Sequence, residues 1–185
     1  TKLSSINKIF RILKKNNIKK VSVIFLFRNN KNNLVNSPSS WLNEFEDNVV
    51  QPYFILNEFF KNKVKLIRVV FTSSIYSKYL PPSKLHRNLK KFPIKYAISK
   101  SALNNLSKYL SIVYKNKTLF FNLILGGVVS PINKKFQRKY SEFSLINNMV
   151  SNNDLNFFIK NLFEGRIDNL SGNDIEFNSG FNLIR

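Results

Sequence analysis

The sequence predicts an α/β fold in three layers, with a parallel sheet covered by helices on both faces. Two observations carry that prediction. Segments with apolar residues at helical spacing alternate along the chain with short, nearly uninterrupted apolar runs. Such alternation builds a parallel sheet. The 185 residues, 43% of them hydrophobic and 14% aromatic, are enough for one domain, 1–185, with a real core,.

Leu3, Ile6, Ile9, Phe10 and Leu13 fall at helical spacing after Ser4 and Ser5, which can cap a helix,. Val21 to Phe27 reads as a strand buried on both faces, and Asn29 to Ser40 as a loop,. From Trp41 to Lys61 the residues Leu42, Phe45, Val49, Phe54, Leu56 and Phe59 predict one long helix, with Pro52 as a kink,. Val64 to Phe71 is a strand landing on Thr72, Ser73 and Ser74, and a proline-containing connection follows to Lys95. Tyr96 to Tyr114 predicts a helix, Leu119 to Leu125 a strand ending at Gly126 and Gly127, and Ser130 to Asn153 an irregular or weakly helical stretch. A helix over Asp154 to Phe163 and a strand over Asp174 to Phe177 complete the chain. Phe59-Phe60, Phe120-Phe121 and Phe157-Phe158 read as core or interface, and Glu44, Glu46 and Asp47 as structural charges near a helix start,.

Composition narrows the chemistry. With no Cys there is no disulfide, thiolate metal site or cysteine nucleophile, and one His, His86, rules out a multi-His metal site,. His86 reads as a solvated loop residue. The net charge of +20 raises the usual inference of a phosphate or anionic partner,. However, Lys, Asn, Ile, Phe and Tyr, all with AT-rich codons, make up 94 residues, and the basic residues come as scattered doublets such as Lys14-Lys15 and Lys134-Lys135. Codon drift therefore explains the charge better than a nucleic-acid partner does. No apolar run reaches the roughly 18 residues of a membrane span, and no signal peptide opens the chain. The expected location is the cytoplasm. The first residue, Thr1, reads as a cut point,.

Tyr96-Ala97-Ile98-Ser99-Lys100 sets a phenol and an amine on one helical face,. An ammonium beside a phenol favours the phenolate, so the tyrosine can exchange a proton near neutral pH. About one such spacing is expected by chance in this composition. Its context raises it, because Ser73 and Ser74 lie at the carboxyl end of the preceding strand, where open α/β sheets hold ligands.

In these features the chain resembles the short-chain dehydrogenase/reductase family. Val69 to Tyr76 is similar to the family's strand ending in Ser-Ser, and Tyr96 to Leu103 to its Tyr-x-x-x-Lys helix. Asn48 stands where the family carries an Asn on the helix before the serine strand. Asn122 followed by Gly126-Gly127 resembles the family's Asn and later Pro-Gly, and Leu170 to Phe181 its C-terminal turn, strand and glycine.

The resemblance implies a Rossmann-like three-layer α/β/α fold and hydride transfer between NAD or NADP and a small carbonyl or alcohol substrate. It implies Tyr96 as acid/base, Lys100 as its pKa partner and ribose ligand, Ser74 as the group orienting the substrate oxygen, and Asn48 as holder of a relay water. Gly127 and Val129 would pass near the nicotinamide. A narrower similarity to reductases encoded with bacterial surface-sugar pathways points to a sugar derivative. It also implies a homodimer or homotetramer, with Phe45, Phe59 and Phe60 on one helix and Leu103, Leu106 and Leu110 on the other forming the contact. The family's first three strands and Gly-rich phosphate turn have no counterpart here, so that the first strand of this chain is expected at a sheet edge. Two competing expectations are a basic module for nucleic acid or an anionic surface, betrayed by salt-dependent binding, and a degenerate, non-catalytic family member.

Overall fold

The computed structural model describes residues 2–27, 37–62, 64–85, 89–131, 134–181 and 183. His86 and Asn29 lie outside them. The elements run α1 (Lys2–Lys15), β1 (Lys20–Phe25), α2 (Pro38–Phe45), a π-helical turn (Glu46–Val50), α3 (Gln51–Lys61), β2 (Lys65–Ser74), α4 (Ile94–Val113), β3 (Leu119–Leu125), α5 (Lys134–Ser141), α6 (Asn152–Phe163) and β4 (Asp174–Phe177). The four strands are parallel in the order β1-β2-β3-β4.

Both faces of the sheet are covered. Phe25, Val69, Phe71 and Phe120 pack under α1, α3 and α4, with Ile6, Leu56, Phe59, Leu103 and Leu110. Val70, Phe121 and Leu123 face Leu155, Phe158, Ile159 and Leu162 of α6. Consecutive β3 residues thus serve opposite faces, as the period of a strand requires. On the first face the Phe71 ring stacks on Phe25 and Phe120, with centroids 5.3 and 6.4 Å away. This row of rings ties three strands together. At the other end of β2 the Arg68 guanidinium grips both carboxylate oxygens of Asp168, at 2.8 and 2.7 Å.

Several expectations are corrected. α1 begins at Lys2, so Ser4 and Ser5 lie within the helix and do not cap it. β1 stands at the sheet edge, as the resemblance implies, but it is not a fully buried strand: only Phe25 in it is buried, while Val21, Val23 and Ile24 are partly buried against the clusters on the two faces. The long second helix starts at Pro38, not Trp41, because Ser37 caps it reciprocally with Ser40,. The helical run is interrupted just before Pro52 by a π-helical turn. Pro52 has no N–H to donate to the preceding turn, and a wider turn there accommodates the missing bond. Glu44 sits at the end of α2, while Glu46 and Asp47 belong to the π turn, so none complements a helix start. Phe59, Leu103 and Leu110 are consumed by the molecule's own core. The apolar residues that α3 and α4 leave exposed are Phe54, Ile98, Tyr109, Ile112 and Val113, with Tyr53 and Ile94 less so. Among the described residues no helix is long and apolar enough to cross a membrane, and no cluster of metal-ligating side chains occurs.

Candidate active site

A cleft of about 690 Å³ opens at the carboxyl ends of β2 and β3. Ser74, Tyr76, Tyr96, Lys100, Gly126, Gly127, Tyr140 and Met149 all line it. The sequence-expected residues Ser74, Tyr96, Lys100 and Gly127 are therefore brought together. Asn48 and Val129 are not in the lining: Val129 packs into the apolar cluster around Tyr140, and Val128 takes the cleft-facing place.

Lys100 is 1% exposed. Its Nζ donates to the carbonyl oxygens of Thr72 at 2.8 Å and Phe27 at 3.1 Å. The amine thereby stitches α4 to the end of β2 and to the chain leaving β1, with one proton beyond these two bonds. It lies 5.7 Å from the centroid of the Tyr96 ring. Burial pushes the ammonium down to about 8, against the opposing pull of the Glu44 carboxylate,. One helical turn separates Tyr96 from Lys100, so the i, i+4 spacing read from the sequence delivers both groups to the cleft,.

The two serines ending β2 divide their tasks. Ser73 Oγ donates to Asn104 Oδ1 and to the Lys100 carbonyl, which makes it a tie between strand and helix. Ser74 Oγ accepts the Tyr76 backbone N–H at 3.3 Å, capping a short 3-10 turn, and faces the cleft.

Asn48 sits in the π turn, fully buried, behind the cleft. Its Nδ2 donates to the Glu44 carbonyl oxygen at 3.1 Å, to Glu44 Oε1 at 2.7 Å and to Ser99 Oγ at 3.2 Å. Ser99 Oγ in turn donates to the Tyr96 carbonyl oxygen at 2.9 Å. Burial raises the Glu44 carboxyl above its ordinary range, opposed by the Asn48 hydrogen bond and by Lys95 and Lys100.

Sequence reasoning missed three residues. From the sequence alone Glu44 is no more than a structural charge near a helix start. Tyr140, on α5 in the stretch expected to be irregular or weakly helical, accepts the Gly127 N–H at 2.8 Å and stacks on Phe181 at 4.6 Å. Burial pushes its phenol up to about 12. Tyr76 is held neutral by burial, reinforced by the neighbouring Tyr140 and Tyr96. A tyrosine two residues past the strand end was the only hint of Tyr76; nothing local marks Tyr140.

Neither a protein-family model nor a curated protein matches the sequence. Solved structures do match. The chain superposes on a 4-hydroxyisoleucine dehydrogenase complexed with NADH with a TM-score of 0.74 at 15% identity, covering 98% of this chain and 78% of that one. It superposes on a short-chain dehydrogenase from Bacillus anthracis with a TM-score of 0.72 at 10% identity, covering 97% and 71%. For acetoin dehydrogenase from Salmonella typhimurium the TM-score is 0.72 at 13% identity, again covering 97% and 71%. The chain therefore has the fold of the short-chain dehydrogenases/reductases, Rossmann-like and parallel, over nearly its whole length.

Proposed function

We propose that the protein is a short-chain-type oxidoreductase that uses NAD or NADP to interconvert a carbonyl and an alcohol on a small molecule. The observation that carries this reading is the meeting of Tyr96, Lys100 and Ser74 in one cleft at the carboxyl edge of a parallel sheet,. The NADH-bound dehydrogenase of the same fold supports the nicotinamide cofactor.

The donor set fits the nicotinamide-ribose part of such a cofactor. Lys100 keeps a proton after serving Thr72 and Phe27, and the cleft is roomy and lined by Gly126 and Gly127. All five glycines of this sequence lie beyond residue 125, so residues 1–125 carry no glycine-rich phosphate turn. When bound, the nicotinamide supplies or accepts the hydride. Tyr96 Oη gives a proton to the substrate oxygen or takes one from it. Lys100 stabilises the phenolate and holds the ribose hydroxyls; Ser74 Oγ orients the substrate oxygen. Gly127 would line the place of the nicotinamide, and its N–H is held by Tyr140. Val129 supports that wall from behind, and Asn48 acts from behind Ser99, holding a relay water.

A sugar-derived substrate is the narrower reading, as is a cytoplasmic homodimer or homotetramer. The exposed Phe54, Ile98, Ile112 and Val113 supply an apolar contact for such assembly,. A strictly monomeric species at tens of micromolar in light scattering counts against it.

The deciding experiment expresses the whole reading frame, screens carbonyl compounds for cofactor oxidation, and compares Tyr96→Phe with the unaltered protein. The substitution is expected to lower turnover by about a hundredfold or more, the range of acid–base catalysis. A loss below about tenfold defeats the assignment of Tyr96.

A further inference from the structure

Among the ten carboxylates of this basic chain, Glu44 stands out as a side chain only 2% exposed. It lies outside the cleft lining and takes no part in the chemistry described above. Its surroundings are specific. Oε1 accepts from Asn48 Nδ2 at 2.7 Å, and its own carbonyl oxygen accepts from the same nitrogen at 3.1 Å. The backbone carbonyl is a pure acceptor whatever the state of the carboxyl, so the atom of Asn48 that faces it must be the amide nitrogen,. That fixes the amide. Asn48 Oδ1 is then the atom left over, buried and with no protein partner among the described residues.

The charges around the carboxylate come from two directions. α4 contributes Lys95 and Lys100, and the adjoining π turn contributes Asp47. Lys100 and Lys95 are themselves buried, at 1% and 4% exposed. Solvent screening between such groups is weak, and a carboxylate near a buried ammonium acts on it strongly.

We propose that Glu44 is a positioning residue of the Tyr96–Lys100 site: it locks the Asn48 amide with Oδ1 as the free acceptor and sets a negative charge behind Lys100. The first half depends on Glu44 as a hydrogen-bond acceptor, the second on its charge. It rests on the reading of Lys100 as part of an oxidoreductase site, yet both halves can be measured in the resting protein.

The test uses the full chain and two variants. Glu44→Gln keeps a carbonyl acceptor and removes the charge; Glu44→Leu removes both. Lysines labelled at the ε carbon are followed by NMR against pH, and the Asn48 side-chain amide by its exchange with solvent. In Glu44→Gln the Lys100 midpoint is expected to fall by about one pH unit, with the Asn48 amide still protected. In Glu44→Leu the midpoint falls likewise, and the amide exchanges about tenfold faster or more. A Lys100 midpoint that moves by less than about 0.2 unit in Glu44→Gln overturns the charge half. An Asn48 amide equally protected in Glu44→Leu overturns the hydrogen-bond half. Because Glu44→Gln is nearly isosteric, poor folding of the leucine variant leaves the charge half decidable, and a glutamine variant whose Asn48 amide loses protection counts against the acceptor role. In the active enzyme the pH dependence of kcat is expected to shift in Glu44→Gln while KM stays within about twofold. Failure of the unaltered protein to turn over any carbonyl substrate counts against the oxidoreductase reading, while the NMR result still decides the role of Glu44.

Discussion

The two walls of the cleft are built on opposite principles. The wall formed by α4 and the end of β2 is backed by buried polar groups: Lys100 Nζ donates to the Thr72 carbonyl, Ser73 ties to Asn104 and to the Lys100 carbonyl, and behind the lining Asn48 links Glu44 to Ser99. The wall formed by Gly126, Gly127, Tyr140, Met149 and the Phe181 ring behind them is held by ring stacking and close backbone approach, with backbone hydrogen bonds from Gly126 to Phe177 and from Val150 to Gly127, and one side-chain hydrogen bond, from the Gly127 N–H to Tyr140. The first wall can fix charges and proton positions; the second can only set shape. Chemistry and shape are thus carried by different stretches of chain.

Substitutions can break that division. The largest structural effect is expected at Gly126, where an added Cβ would stand 2.7 Å from the Asn178 Cα and 2.6 Å from the Tyr140 hydroxyl. Backbone cannot swing aside, so Gly126→Ala should cost about 2–3 kcal/mol and lower the melting temperature by about 5–10 °C. At Gly127 the nearest atom is the Met149 terminal methyl, at 2.9 Å on a flexible side chain, followed by Tyr140 ring atoms at 3.0 and 3.1 Å, with no backbone atom among the three nearest. Gly127→Ala should therefore cost less. Equal tolerance at both positions would mean that the second wall is loosely packed.

The polar wall makes a prediction in pH. Lys100 titrates at about 8 in the folded protein, below the ordinary 10.5, because burial disfavours its charge. Between those values the unfolded chain holds more protons, so this group's contribution to stability rises with pH across the window and its penalty is fully present below about 8. Replacement by methionine should remove a rise of about 3 kcal/mol between pH 8 and 10.5, read as the difference between two denaturation series. Parallel series for the two proteins would show that Lys100 is not desolvated as its burial implies. The smallest effect belongs to Tyr140→Phe. It leaves the Gly127 N–H without its acceptor and should cost about 1 kcal/mol in chemical denaturation. A loss as large as that of Gly126→Ala would make the second wall depend on its hydrogen bond more than on packing.

The same division governs what could be read from the sequence. The polar wall was legible because helical spacing carries Tyr96 and Lys100 to one side, and because Ser74 closes an apolar run that ends where the strand ends. β3 and β4 were equally plain, each an apolar run or a short strand bounded by turn residues. Tyr140 and Met149 reach the second wall from a stretch with weak periodicity, across 13 residues or more from Gly127. No local pattern marks such an approach. The exposed helix faces were misjudged for a related reason: α3 and α4 are apolar on several sides, and only the packed structure shows that Leu103 and Leu110 turn inward while Ile98 and Ile112 turn out.

The π turn has a consequence for phase. Along the helix from Pro38 to Lys61 the buried positions are Ser40, Glu44, Asn48, Pro52, Leu56 and Phe59, four residues apart until the last step. A regular α-helix turns about 100° per residue, so positions four apart drift about 40° at each step and would leave the α4-facing side within a few turns. The wider turn at Glu46–Val50 under-winds the helix and takes up that drift,. One residue removed there would rotate everything before it by about 100° relative to α3. Glu44 would swing away from α4 while Leu56 and Phe59 stayed in the core, uncoupling the site from a fold that remained intact. The spacing of this helix works as a dial, and its setting is a single residue.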